Sequence, residues 1–214
     1  HKVTFIAGKG SSCPFAKVIE LDPSVNLNTQ IPTDADIVHF NIPVPEGITK
    51  PHLLTIHGNG IPANADRNIV FVSRNHAQRL GSESFVYNGL DWDDYGPANL
   101  NLSRKNYHFL GKAAWKVKNI KGAIAVVQSI KNAQLDVLGG YRLNLKMGFR
   151  FTWNPRIHFH GMVDDSKKKV IIEQSKGLIF PVTWHEPFGL AITESLYFGA
   201  PVFGTPYGAL PELV

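Results

Sequence analysis

Apolar positions along this chain recur with two periods, one of two residues and one of three to four, and the periods alternate. KVTFIAG (residues 2–8) alternates and is rich in β-branched side chains, which predicts a strand. KVIEL (17–21) reads as a second short strand and DIVHFN (36–41) as a buried one. HLLTIHGNG (52–60) is a strand running into His57 and a glycine-rich loop. NIVFVS (68–73) follows, and SRNHAQRLG (73–81) predicts a short helix capped by Ser73 and closed by Gly81. SFVYNGLD (84–91) reads as a strand entering an Asn-Gly turn. Residues 92–106, WDDYGPANLNLSRKN, hold turn formers and few core side chains, and are expected to be a linker.

Beyond that point strand and helix patterns take turns. YHFLGKA (107–113) is a strand ending in glycine, and NIKGAIAVVQSIKN (119–132) places Ile120, Ile124, Val127 and Ile130 at helical spacing. LDVLGG (135–140) and RIHFHGMVDD (156–165) are strands, and Ser166 leads into the helix KKKVIIEQSK (167–176). LIFPV (178–182) is a further strand. Pro187 and Gly189 mark a turn, and Leu190, Ala191, Ser195, Leu196 and Phe198 follow at helical spacing. Gly199 and Pro201 stop that helix, and PVFG (201–204) is the last strand. The alternation predicts an α/β fold, a parallel sheet with helices on both faces. Such sheets bind ligands outside the carboxyl ends of their strands. HGNG, FLGK, VLGG, HGMVDD and EPFG all fall at such ends.

Composition changes this picture little and charge changes it more. With 214 residues there is room for one large or two small domains, and 43% hydrophobic with 18% charged residues is ordinary for a globular protein. No apolar run approaches the ~20 residues that span a bilayer. The single Cys13 rules out an internal disulfide and fits a reducing, cytoplasmic setting. Residues 1–100 carry 7 Lys/Arg against 10 Asp/Glu, whereas residues 101–214 carry 15 against 7. A basic second half implies an anionic partner. The cations do not interleave with aromatic residues as in a single-strand binder, and no nucleic-acid-binding signature is present, so a nucleotide is favoured over a nucleic acid.

Five places are candidates for chemistry. Glu186 and Glu194 flank the turn EPFG and the start of the next helix. A continuous helical rise over their eight-residue spacing would set them roughly 12 Å apart, suited to gripping two ends of one ligand. The helix N–H groups between them suit a phosphate. An ordinary strand–helix crossover with two surface glutamates would show the same spacing. Lys112 ends a strand, with Lys116, Lys118 and Lys121 downstream, where a cation can neutralise a diphosphate. His57 could donate a hydrogen bond or move a proton near neutral pH. Asp91-Trp92-Asp93 has the form of a metal-binding pair, but capping explains it better after an Asn-Gly turn. His158 and His160 share a strand face without an evident third ligand, so no metal site is assigned. The glycine loops of common NAD and ATP sites are absent from the sequence.

The ordered set FLGK…KG, LGG, HGMVDD, IFPVTWHEPFGLAITESLYFGAPVFG and YGALPELV resembles the retaining glycosyltransferases of the GT-B fold, in the large group 1 family with a Glu-x7-Glu motif. YNGLDWDDY resembles the family's strand-to-linker segment and TIHG its N-domain histidine loop. The resemblance implies two Rossmann-like parallel-sheet domains facing a cleft. Residues 1–98 would form a partial acceptor-side domain, and residues 99–214 a partial domain binding a nucleotide sugar. It implies Glu186 beside the donor sugar, and Gly189 and Leu190 supplying N–H groups to sugar and phosphate, with Phe188 packed there. Glu194 would take the ribose hydroxyls. Lys112 stands where the family usually has arginine, Lys118 would be the second diphosphate cation with Lys121 its rival, and Met162 and Val163 would touch the base. His57 would sit near the transferred sugar. No metal or other cofactor is expected. The acceptor would be a sugar, a lipid-linked or a small molecule, with contact to the inner face of a membrane compatible. Relative to the family the chain resembles the middle of a longer enzyme, lacking a first glycine-rich loop and the closing elements. A nucleotide-sugar epimerase or phosphorylase on the same architecture, or a non-catalytic nucleotide- or sugar-binding module, are the competing expectations.

Overall fold

The computed structural model describes residues 1–63, 65, 68–145 and 147–214. The chain divides into two compact units, His1–Val70 and Phe71–Val214.

In the first unit, β1 (Thr4–Ala7) and β2 (Lys17–Glu20) pair in parallel. A single turn, α1 (Leu27–Gln30), is capped by the Asn26 side chain. β3 (Val38–Phe40) and β4 (His52–Ile56) are parallel, and β5 (Ile69–Phe71) flanks β4 on its other side. The division between units falls inside β5. Phe40, Leu54 and Ile56 are buried in this unit.

The second unit opens with α2 (Arg74–Arg79), where Ser73 Oγ caps the helix by accepting the His76 N–H at 3.1 Å. Gly81, at φ +75, closes it as expected. Ser84–Asp91 is not a strand. Among the described residues it makes one bridge, Phe85 to Phe71, with no second neighbour to extend a ladder. Residues 92–106 lie within this unit, and they begin with a helical turn, α3 (Trp92–Tyr95), whose N-cap is Asp91. Asp91 Oδ1 accepts the Asp93 N–H at 3.1 Å, so the capping reading of Asp-Trp-Asp holds.

The main sheet follows. β6 (Asn106–Leu110) leads through a 3-10 turn at Lys116–Lys118 into α4 (Ile120–Ser129) and β7 (Leu135–Leu138). A hairpin of β8 (Leu143–Asn144) and β9 (Arg150–Phe151) precedes β10 (Ile157–Phe159) and α5 (Asp165–Glu173). β11 (Ser175–Phe180), α6 (Leu190–Tyr197), β12 (Val202–Gly204) and α7 (Leu210–Leu213) complete it. The strand order is β10-β7-β6-β11-β12, all parallel. The pattern-based alternation is thus observed, and α5 starts just ahead of Ser166 because Asp164 Oδ1 caps it through the Lys167 N–H.

Alternation along β11 explains the two cores. Ile179 joins Phe109, Val127, Leu135, Val137 and Ile157 beneath α4. Leu178 and Phe180 join Ile192 and Leu210 under α6 and α7, beside a cluster of Ile172, Phe198 and Ala200. Phe109 and Phe180 are fully buried, and each contributes roughly 1.5–3 kcal/mol by leaving water. The connection order reverses between β6 and β11, so their carboxyl ends form the crevice where such sheets place ligands.

Candidate functional site

Two glutamates define the crevice edge. Glu186 precedes α6 in a single parallel bridge to Gly208, and its carbonyl accepts the Ala209 N–H at 2.9 Å. Gly208, at φ +67, is required there, since a Cβ would run into the Glu186 backbone. Gly189, at φ +97, begins α6, and no side chain caps that helix end. Only residues 190–194 of the interval between the glutamates are helical, a rise of roughly 6 Å, so the continuous-helix separation does not apply.

Both carboxylates are buried, and they are held in the same manner. Glu186 Oε2 accepts from Lys118 Nζ at 2.6 Å and from Trp184 Nε1 at 2.8 Å. Glu194 Oε1 accepts from Lys168 Nζ at 2.6 Å and from the Tyr95 hydroxyl at 2.6 Å. Each lysine also lies over aromatic rings. Lys118 is 5.1 Å from the Trp184 centroid and 5.3 Å from Phe180, and Lys168 is 5.0 Å from Tyr95. Among the described residues the second oxygen of each carboxylate makes no hydrogen bond, which leaves each with acceptor capacity.

Electrostatics follow from these contacts. Burial and the hydrogen bond to Glu194 push the Tyr95 phenol up to about 12, so it remains a donor. Burial works against the Lys168 ammonium, but hydrogen bonds to Asp165 and Glu194 and the charge of Glu194 outweigh it and raise its pKa.

The strand ends beside the glutamates fit together closely. Gly111 donates to the Leu138 carbonyl at 3.0 Å, and Ala113 to the Gly139 carbonyl at 2.9 Å. A Cβ on Gly139 would strike the Gly111 carbonyl, and one on Gly140 would lie 2.5 Å from the Ala113 Cβ. The sequences FLGK and LGG are therefore one packed feature. Lys112 is exposed, with its ammonium 5.3 Å from the Trp115 centroid. Lys121 is exposed on the first turn of α4, whose N-cap Asn119 sits at φ +54 and accepts the Gly122 N–H at 3.1 Å. A cleft of about 230 Å³ lies between this helix start and the β8–β9 hairpin, lined by Lys116, Asn119, Lys121 and Met147 among others.

Met162 is 79% exposed and Val163 half-buried, just after Gly161, whose carbonyl accepts the Gly139 N–H at 2.7 Å. Phe188 is buried, 5.9 Å from the Tyr87 ring, while Leu190 is exposed at the helix start. His158 and His160 bond to Gln134 at 3.0 Å and Asp136 at 2.8 Å. In the first unit, His57 is exposed and bonded to Asn41 Oδ1 at 3.0 Å, on a shallow cleft of about 180 Å³. Among the described residues no cluster of three or more His, Cys, Asp or Glu could hold a metal ion.

Lys118 and Glu186 are thus brought together. Tyr95, Lys168 and Trp184 belong to the same constellation and were not anticipated. Trp184 was legible, lying two residues before Glu186. Lys168 sits in a run of three lysines that reads as a solvated face, and Tyr95 sits in the expected linker. His108, fully buried on β6, was also missed. Its Nδ1 is 2.7 Å from Ser175 Oγ and its Nε2 2.9 Å from Ser195 Oγ. Ser195 donates to the Ala191 carbonyl at 2.6 Å, so it accepts from Nε2–H, and the neutral ring ties α6 to the sheet.

The fold is a parallel α/β sheet with two lysine-held carboxylates at its crevice. The sequence profile described as "Glycosyl transferases group 1" matches residues 104–214, and the chain belongs to that family. No curated protein sequence matches at a significant level. Among solved structures, AviGT4, a glycosyltransferase involved in avilamycin A biosynthesis, is similar at TM-score 0.78 and 18% identity, covering 99% of this chain and 68% of its own. Sucrose-phosphate synthase from Thermosynechococcus elongatus is similar at TM-score 0.63 and 16% identity, covering 94% and 68%. Anabaena HepE, solved in complex with UDP-glucose, is similar at TM-score 0.54 and 18% identity, covering 77% and 56%. The architecture is that of GT-B glycosyltransferases.

Proposed function

We propose that the protein transfers a hexosyl group from a nucleoside diphosphate sugar to an acceptor hydroxyl with retention of configuration. The observation that carries the proposal is the matched holding of Glu186, before α6, and Glu194, within it, each with one oxygen engaged by a lysine and one available. A structural neighbour solved with UDP-glucose supports a nucleotide-sugar donor.

In this reading Glu186 orients the donor sugar through its available oxygen, and Glu194 takes the ribose hydroxyls. The departing diphosphate gains charge as the glycosidic bond breaks. Lys112, Lys118 and the N–H groups of Gly189 and Leu190 stabilise that charge, with Phe188 fixing the turn. Lys118 already neutralises Glu186 at 2.6 Å, so a bound diphosphate would share its ammonium. Lys121 is the alternative second cation. Met162 and Val163 lie against the base, and His57 orients a hydroxyl. These residues and the helix dipole supply the positive charge, so no divalent ion is assigned. Residues 99–214 would carry the donor side and residues 1–98 the acceptor side.

Glu186→Gln should abolish transfer from nucleotide sugars while the circular dichroism spectrum is unchanged. The product anomer, read by NMR, should match the donor. Near-normal turnover by Glu186→Gln would overturn the assignment. Binding of nucleoside diphosphates without turnover, measured by calorimetry on the unsubstituted chain, would identify a binding module instead.

A further inference from the structure

The β8–β9 hairpin is amphipathic in the reverse sense. Every odd position from 141 to 153 is apolar or aromatic: Tyr141, Leu143, Leu145, Met147, Phe149, Phe151 and Trp153. Leu143 pairs with Phe151 and Asn144 with Arg150, so the odd positions of the two strands share one face. A half-buried hairpin ordinarily turns its apolar face inward. Here all seven odd positions are exposed, Phe149 at 74% and Trp153 at 82%, whereas Arg150 and Thr152 on the opposite face are buried.

The reversal is built in by two arginines. Arg150 donates to Thr152 Oγ1 at 2.9 Å and the Tyr141 carbonyl at 2.8 Å, and its guanidinium lies 4.9 Å from the Phe159 centroid. Arg142 donates to the carbonyls of Thr152, Asn154 and Ile157 at 3.0, 3.2 and 2.7 Å. The inner face is therefore satisfied as polar, and a one-residue slip to bury the apolar face would abandon all of these bonds. Phe151 and Trp153 pack edge to face at 4.7 Å, so the outer side chains form a cluster. A contiguous apolar face of this kind marks an interaction surface.

Charge selects the occupant. Residues 112–163 contain nine Lys or Arg and one acid, Asp136, which is engaged with His160 and Asn106. Exposed Lys116 and Lys121 line the cleft shared with Met147 and Phe149. Two copies meeting through this face would bring two strongly positive segments together and repel. A surface that is anionic outside and apolar beneath complements both properties, and Trp, Tyr and Phe favour that boundary.

We propose that the hairpin docks the protein on an anionic lipid bilayer, with the odd-numbered face inserted at the headgroup level and the flanking lysines on the lipid charges. This does not depend on the transferase reading, and its readouts do not involve activity. The full chain should co-sediment with phosphatidylcholine vesicles containing phosphatidylglycerol and not with phosphatidylcholine alone. Added salt should weaken the binding. The double variant Phe149→Ser/Trp153→Ser should lose roughly tenfold or more in partitioning, whereas Val86→Ser/Val170→Ser, exposed apolar residues elsewhere, should not. Brominated lipid should quench tryptophan fluorescence in the unsubstituted chain and less so in Trp153→Phe. Equal binding by the hairpin double variant, absence of binding to the anionic vesicles, or a dimer in sedimentation that this variant abolishes would overturn the proposal.

Discussion

His108 stays neutral in the fold because burial strips the imidazolium of water, taking its pKa down to about 3. Protonation therefore favours the unfolded chain. The stability it lends is complete above the ordinary value of 6.5 and is lost as pH falls from there toward 3, by about 1.4 kcal/mol per pH unit from this proton alone. His108→Phe should be less stable near neutrality, through the lost serine contacts, yet show a flatter loss on acidification in urea unfolding. The lysine–glutamate pairs give a second residue-scale expectation. Lys168 and Glu194 side chains are 12% and 10% exposed, so removing one partner strands a buried charge. Lys168→Met should cost about 3 kcal/mol, and Lys118→Met a similar amount, in denaturant titrations. Pairing each with Gln at its glutamate should recover much of that loss, because no unpaired ion remains.

At the scale of elements, the turn before α6 depends on glycine. Gly208 is left-handed and abuts the Glu186 backbone, so Gly208→Ala must move either the bridge or the glutamate. It should destabilise by about 3 kcal/mol and weaken nucleotide binding as well, read by thermal unfolding with and without UDP. The segment EPFGLAITE was legible because its breakers, Pro187 and Gly189, stand between an apolar strand and the start of an amphipathic helix. The β8–β9 hairpin was not assigned, although YRLNLKMGFRFTW alternates throughout. Its signal was present in the sequence, but period alone does not say which face turns inward. The arginine contacts decide that. α3 was equally hidden, since the stacking of Trp92 on Tyr197 at 4.3 Å joins positions far apart in the chain.

At the scale of the whole molecule, charge is segregated. The second half carries a net +8, and Lys112 and Lys118 follow the end of β6, where the proposed function puts the donor diphosphate. Attraction of this kind is screened over about 10 Å at 0.1 M salt. Affinity for UDP, measured by calorimetry, should fall several-fold as salt rises from tens to hundreds of millimolar, and the fall should be smaller in Lys112→Gln. The proposed donor residues lie in the second compact unit and His57 in the first. Among the described residues no helix is long and apolar enough to cross a membrane.

The sequence by itself determined the alternation of strands and helices, hence a parallel α/β sheet, and the order of glycine-terminated strand ends, hence which ends line the crevice. These are local signals, carried by periodicity and by residues a few positions apart. It also placed Glu186, Glu194 and the lysines after FLG. Only the tertiary structure decided which lysine meets which carboxylate. Lys118 reaches Glu186 across 68 positions, Tyr95 reaches Glu194 across 99 and Lys168 across 26. Such pairings depend on which strands neighbour one another and on what is buried there. A lysine in a charged run or a tyrosine in an apparent linker shows neither until the sheet is assembled.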